Sequence, residues 1–292
     1  MVYLLFSKIK KAIGRNYTIS RWYHEMRLRR EEKKTDTPII VYQMGKVAST
    51  TIVDGLHSSK PDIPVYHVHF LSESGIKDAD ERLARLVKSY NANTWCLYES
   101  AFVRRELIDI SEKRHIKIVS LAREPISRNI SSFFFNVHKY VPDFDSYSVD
   151  DTSAMETLKM HFLDSFPEHE YAINWFDDEL KKTFGIDIYE NEFTPEKGYS
   201  IISLDAVEVL LIKLEKLKEC ASHAFREFMD IRDFRLVNSN TADDQPYSGF
   251  YRKFLEEVRL PERYIDRMYE SRYMKYFYSE QEIEQFRGIW TR

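Results

Sequence analysis

Three clusters of side chains have the types and spacing to act on a phosphorylated ligand. The first is Lys46, Ser49, Thr50 and Thr51, an ammonium and three hydroxyls in six residues. The apolar run from Pro38 to Tyr42 ends at Gly45-Lys46, and Ile52, Val53 and Leu56 then recur at helical spacing, which reads as strand, tight loop, helix. First-turn N–H groups of a helix lack intrahelical partners and sit at the positive end of its dipole, so this loop is a candidate anion site. The second cluster is His67 and His69 in the run Val65–Phe70. A strand's period of two puts both imidazoles on one face, roughly 7 Å apart at Cα. They stand at the C-terminal end, the edge where open α/β sheets bind ligands, and imidazole suits a general base near neutral pH. The third is Arg123 with Ser131. Arg123 closes the β-branched run 116–122, and Pro125 fits the first turn of a following helix. A guanidinium from the strand end and a hydroxyl from the helix's second turn can then converge on one phosphate.

Each cluster also has a plain structural reading: hydroxyls that cap a helix, a strand-end histidine held in the core, an Arg123 paired with Glu124. A nucleoside-triphosphate loop is the obvious first comparison, and it fails. The pattern G-x-x-x-x-G-K-[ST] needs a glycine where Ile40 stands and a hydroxyl where Val47 stands, and valine cannot ligate magnesium. No cluster has metal-ligand spacing, so no metal is expected.

The order Lys46-Val47-Ala48-Ser49-Thr50-Thr51 resembles the 5′-phosphosulfate loop of sulfotransferases that use 3′-phosphoadenosine-5′-phosphosulfate (PAPS). Arg123-x-Pro125-Ile126-x-Arg128-x-x-Ser131 resembles the segment that binds the cofactor's 3′-phosphate in carbohydrate sulfotransferases. With His67-x-His69 between them, the chain order is similar to the uronyl, or heparan, 2-O-sulfotransferase branch. Taken whole, including Asn174-Trp175-Phe176-Asp177, the sequence resembles bacterial proteins grouped under capsular polysaccharide synthesis. The motif resemblance covers residues 38–135 well and the rest loosely. It implies Lys46 on the bridging and sulfonyl oxygens, Ser49, Thr50 and Thr51 on the 5′-phosphate, and Arg123 and Ser131 on the 3′-phosphate. His67 or His69 would deprotonate a carbohydrate hydroxyl, the acceptor being a polysaccharide or glycolipid-linked sugar. Two alternatives stay open: a non-catalytic nucleotide-binding or membrane-peripheral component of a polysaccharide assembly, and, less well supported, a nucleotide kinase.

The elements that must position these residues follow from the whole chain. At 292 residues, 43% hydrophobic and 14% aromatic, it can bury a substantial core. The expected fold is α/β, a P-loop-like three-layer sandwich with a central parallel sheet flanked by helices and a helical C-terminal part. Charge divides the chain: residues 1–37 carry ten Lys/Arg against four Asp/Glu, the remainder 33 against 43. Residues 1–37 are therefore read as a basic helical segment able to meet an anionic membrane surface, and 38–292 as a single domain with no nucleic-acid partner. No apolar run is long enough to span a bilayer, and Met1–Phe6 is too short for a signal core, so a cytoplasmic, at most membrane-peripheral, location is expected. Cys96 and Cys220, far apart and without zinc spacing, agree with a reducing compartment. Further elements expected are a third strand at Thr94–Glu99, helices over 73–92, 101–114, 151–166 and 168–183, and a late strand at 207–215. The aromatic face Tyr171, Trp175 and Phe176 is assigned to the core. A polar loop at 238–249, with Asp243 and Asp244 where the family resemblance implies basic residues, leaves its contact with the cofactor open.

Overall fold

The computed structural model describes residues 22, 25–30, 37–60, 62–86, 95–109, 114–237 and 245–291. Most of the basic segment 1–37 lies outside them, as do Asp243 and Asp244. Residues 25–30 are helical, and they join the body through buried Leu28 and an Arg29–Glu106 ion pair at 2.8 Å.

Five strands form one sheet: β1 (Ile39–Tyr42), β2 (Val65–Val68), β3 (Ile116–Ala122), β4 (Tyr199–Leu204) and β5 (Val207–Lys213), in the order β2-β1-β3-β5-β4. The first three and β5 are parallel. β1 is buried at every position and β3 nearly so, as expected of strands covered by helices on both faces. The C-terminal ends of β1, β2 and β3 therefore meet at one edge. That edge gathers Lys46, His69 and Arg123, each of which follows its strand by a few residues.

Helices α1 (Ser49–Ser59), α2 (Glu73–Leu86), α3 (Trp95–Val103), α4 (Pro125–Phe135), α5 (Thr152–Asp164) and α6 (Leu217–Met229) flank the sheet. Four more close the chain: α7 (Ser248–Glu257), α8 (Glu262–Tyr269), α9 (Arg272–Phe277) and α10 (Glu280–Thr291). The architecture is the expected α/β sandwich with a helical C-terminal part.

Two expectations are corrected. Of the strand expected at Thr94–Glu99, residues 95–99 fall in α3, Thr94 lying outside the described residues, because Tyr98, Phe102 and Val103 are buried at helical rather than alternating spacing and pack towards β2. The sheet is not wholly parallel either. β4, which sequence reasoning did not find, pairs antiparallel with β5 through a turn at Asp205, whose φ is 52°. Its exposed Ser203 and Leu204 mark an edge strand, where the hydrophobic pattern is weakest.

Candidate functional site

The loop after β1 is built on two left-handed residues that are not glycine, Lys46 with φ 73° and Ala48 with φ 62°. Such conformations cost on the order of 1 kcal/mol each and persist only where the surroundings impose them. Here the surroundings are two guanidiniums. Arg123 Nη1 donates to the Lys46 carbonyl at 2.8 Å, and Arg128 Nε donates to the Gly45 carbonyl at 3.1 Å. Val47, fully buried, pins the loop from below. α1 then starts from its N-cap Ala48 with no side-chain cap on its first-turn N–H groups.

The helix after β3 starts differently. Buried Glu124 caps α4 by accepting from Ile126 N at 2.8 Å and Ser127 N at 2.7 Å, so that terminus is satisfied from within. Arg123 is thus not paired with Glu124. Its backbone is clamped by the Tyr273 hydroxyl, which accepts from Arg123 N at 2.9 Å and donates to Arg123 O at 2.8 Å. Tyr269 donates to Glu124 Oε1, and Glu215 accepts from Glu124 N and from the Tyr278 hydroxyl. Tyrosines of the C-terminal helical region therefore fix the strand end that aims Arg123.

These parts enclose one cleft of about 360 Å³. Lys46, Ser49, Thr50, Thr51, Arg123 and Ser131, all anticipated from sequence, line it together with Ala48, Phe135, Leu214, Gln245, Tyr247 and Tyr251. Among the described residues no carboxylate lines it. The Lys46 ammonium lies 3.0 Å from the centre of the Phe135 ring. Burial, with Arg128 and Arg123 nearby, pulls the Lys46 ammonium down to a pKa of about 7. The cleft is thus lined by two basic groups, Lys46 and Arg123, the guanidinium disfavouring charge on the amine.

The histidines are placed otherwise. His67 lies on β2 and His69 just beyond it, with ring centroids 4.9 Å apart, and neither lines the cleft. His69 Nδ1 is 2.7 Å from the Gln43 carbonyl. A carbonyl only accepts, so Nδ1 carries the hydrogen and Nε2 keeps its lone pair. Burial holds this imidazole below its ordinary range, against the Gln43 hydrogen bond, with Arg128 and Lys46 adding to the effect. His67 is pushed down to about 3, by burial and then by His69, and its Nε2 is buried without a partner. Glu99, inside α3, accepts from the His67 backbone N–H at 3.1 Å. Both rings are neutral at physiological pH, and His69 is the one beside the cations.

Sequence reasoning missed Arg128 as the second clamp on the loop, and Gln245, Tyr247 and Tyr251 as the far wall. Arg128 stood inside the quoted motif. Gln245 and Tyr247 lie in the 238–249 loop whose contact with the cofactor the sequence leaves open, Tyr251 follows it in α7, and no motif marks any of the three. Trp175 is core, as expected, and also donates its indole N–H to the His69 carbonyl at 3.2 Å. Among the described residues, no group of three His, Cys, Asp or Glu is arranged to hold a metal, and no helix is long and apolar enough to cross a membrane. Cys220 is a free, buried thiol.

Comparison with curated proteins and with solved structures finds no match. Residues 154–279, which contribute the Trp175, Glu215, Tyr247, Tyr251 and Tyr273 side chains described above, match the family described as putative capsular polysaccharide synthesis protein, and over that span the chain is similar to it.

Proposed function

We propose that the protein is a carbohydrate sulfotransferase of capsular or surface polysaccharide synthesis, moving a sulfuryl group from PAPS to a sugar hydroxyl. One observation carries this reading: residues from two separate segments, each resembling a different phosphate contact of that donor, line a single cleft, with no carboxylate among its described lining residues. Arg123 and Ser131 hold the 3′-phosphate, and the α1 N-terminus with Ser49, Thr50 and Thr51 holds the 5′-phosphate. The acceptor oxygen attacks sulfur, the bond from sulfur to the 5′-phosphate oxygen breaks, and the acceptor proton passes to His69 Nε2. The products are a sulfate ester and 3′,5′-bisphosphoadenosine. Lys46 stabilises charge on the leaving phosphate, a role that requires it protonated, which the bound anion itself favours. The match to capsular synthesis proteins over 154–279 supports a polysaccharide setting for the acceptor.

A second reading, a nucleotide-binding component without chemistry, is favoured by the position of both histidines off the cleft lining. The kinase alternative meets a fully buried Val47 where magnesium would need a hydroxyl. Calorimetry with 3′,5′-bisphosphoadenosine, against ATP with magnesium, tests the donor. A radiolabelled-sulfate transfer assay on His69→Ala then tests the chemistry. Binding with turnover lost on His69→Ala supports the transferase; binding with no turnover in the wild type supports the component; preference for ATP sinks the transferase and hands over to the kinase or component reading.

A further inference from the structure

The turn after His69 is held by residues distant in sequence. Trp175 donates to the His69 carbonyl, and its ring packs edge-on against Tyr42 with centroids 4.9 Å apart. Glu179, 4% exposed, lies in a π-helical segment, Phe176–Lys181, that continues from Trp175. Its Oε2 accepts from Leu71 N at 2.7 Å, Ser72 N at 2.9 Å and the Tyr42 hydroxyl at 2.6 Å, while Oε1 accepts from Ser72 Oγ at 2.8 Å. Four donors on one buried carboxylate fix its position closely, because each donor left unpaired there costs about 1–3 kcal/mol. Gly75 leaves the carboxylate its space: a Cβ there would stand 2.0 Å from Glu179 Oε1. Arg104 Nη1 completes the clamp by donating to the Leu71 carbonyl at 3.0 Å.

π-Helical turns insert one extra residue and recur where a side chain must be aimed away from its helical position. Here the segment turns Glu179 onto Leu71 and Ser72 immediately after Trp175 has reached His69. We infer that Trp175 and Glu179 are positioning residues for His69, holding the 69–72 turn so that the imidazole keeps Nδ1–H on the Gln43 carbonyl and Nε2 as the free base. The inference deepens the transferase reading by naming what orients its base, and it rests on that reading for its catalytic meaning. It also gives the matched span 154–279 a role at a site whose base lies outside it.

The test uses the full chain labelled with ¹⁵N-histidine, in wild type, Glu179→Gln and Trp175→Phe. Two-bond ¹H–¹⁵N spectra read the tautomer of the His69 ring, assigned with His69→Gln, and calorimetry reads bisphosphate affinity. Wild type is expected to show His69 as one Nδ1–H tautomer. Both variants are expected to show mixed tautomers, with bisphosphate affinity within about twofold because neither residue lines the cleft, and a fall in kcat of about tenfold or more at unchanged donor KM. Trp175→Phe keeps an aromatic ring against Tyr42 and decides the matter if Glu179→Gln does not fold. An unchanged single tautomer in a folded variant overturns the inference, as does a loss of bisphosphate affinity equal to the loss of kcat. The tautomer is read without turnover, so a wild type that transfers no sulfuryl group defeats the transferase reading and leaves the positioning result standing on its own.

Discussion

Filling the cleft with a bisphosphate should draw a proton from solution. Lys46 sits at about 7 in the free protein because burial and two neighbouring guanidiniums disfavour its charge. An anion against the ammonium reverses that balance and returns the group towards its ordinary value near 10.4. With a free-state value of about 7, roughly half the lysines are neutral at pH 7 and about 0.9 at pH 8, so uptake approaches one proton per ligand at the higher pH. Working at about pH 8 removes the confusion from the ligand itself, whose second phosphate ionisations near 6 are complete by then.

The assay is calorimetry of 3′,5′-bisphosphoadenosine in buffers of different ionisation enthalpy, where the slope of observed heat against buffer enthalpy is the number of protons exchanged. A slope of about +0.9 is expected for wild type at pH 8. By linkage, affinity should also weaken about fivefold between pH 7 and 8, since the protein must first regain the proton. Lys46→Arg carries a permanent charge and should bind with no uptake. A slope of zero in wild type would refute the reasoning at its first step. Uptake that persists in Lys46→Arg would refute the second, by assigning the proton to another group, such as His69, whose charge Arg128 and Lys46 also disfavour.

Arg123→Ala should weaken bisphosphate binding about 10- to 100-fold, the loss of a charge-assisted contact of roughly 1.5–3 kcal/mol, and loosen the loop whose Lys46 carbonyl it holds; an unchanged Kd by calorimetry would exclude Arg123 from the anion site. Gly75→Ala should destabilise the fold by 2 kcal/mol or so in urea melts, because the added methyl meets a carboxylate that four hydrogen bonds prevent from yielding. Tyr273→Phe removes the hydroxyl that both accepts from and donates to the Arg123 backbone, and should cost about 1–3 kcal/mol of stability while leaving the cleft's own side chains intact. His67 has its folded-state pKa depressed to about 3 from about 6.5 unfolded, so its stabilising contribution is complete above pH 6.5 and declines as pH falls. That amounts to about 2 kcal/mol between pH 6.5 and 5, visible as a smaller acid-induced loss of stability in His67→Gln.

What the sequence made legible was local. Lys46 through Thr51, and Arg123 through Ser131, each lie within one strand-turn-helix unit, so their types and spacing already determine that they emerge at one sheet edge. The antiparallel edge strand β4 was hidden because Ser200 and Ser203 blur its alternation, and α3 was mistaken for a strand because Trp95-Cys96-Leu97-Tyr98 is apolar under either period. What holds the site together is of another kind. Tyr273 reaches Arg123 across 150 residues, Glu179 reaches Leu71 across 108, and Trp175 reaches His69 across 106. No periodicity encodes such pairs, since a buried tyrosine or glutamate reads identically whether it meets a neighbouring helix or the turn behind a histidine. The division has a functional consequence. The residues that line the cleft come mainly from the first half of the chain, and the groups that fix their geometry come largely from the second. On the transferase reading, a variant at Trp175 or Glu179 should therefore lower kcat before bisphosphate affinity, whereas variants at Gln245, Tyr247 or Tyr251, which line the cleft, should move affinity as well.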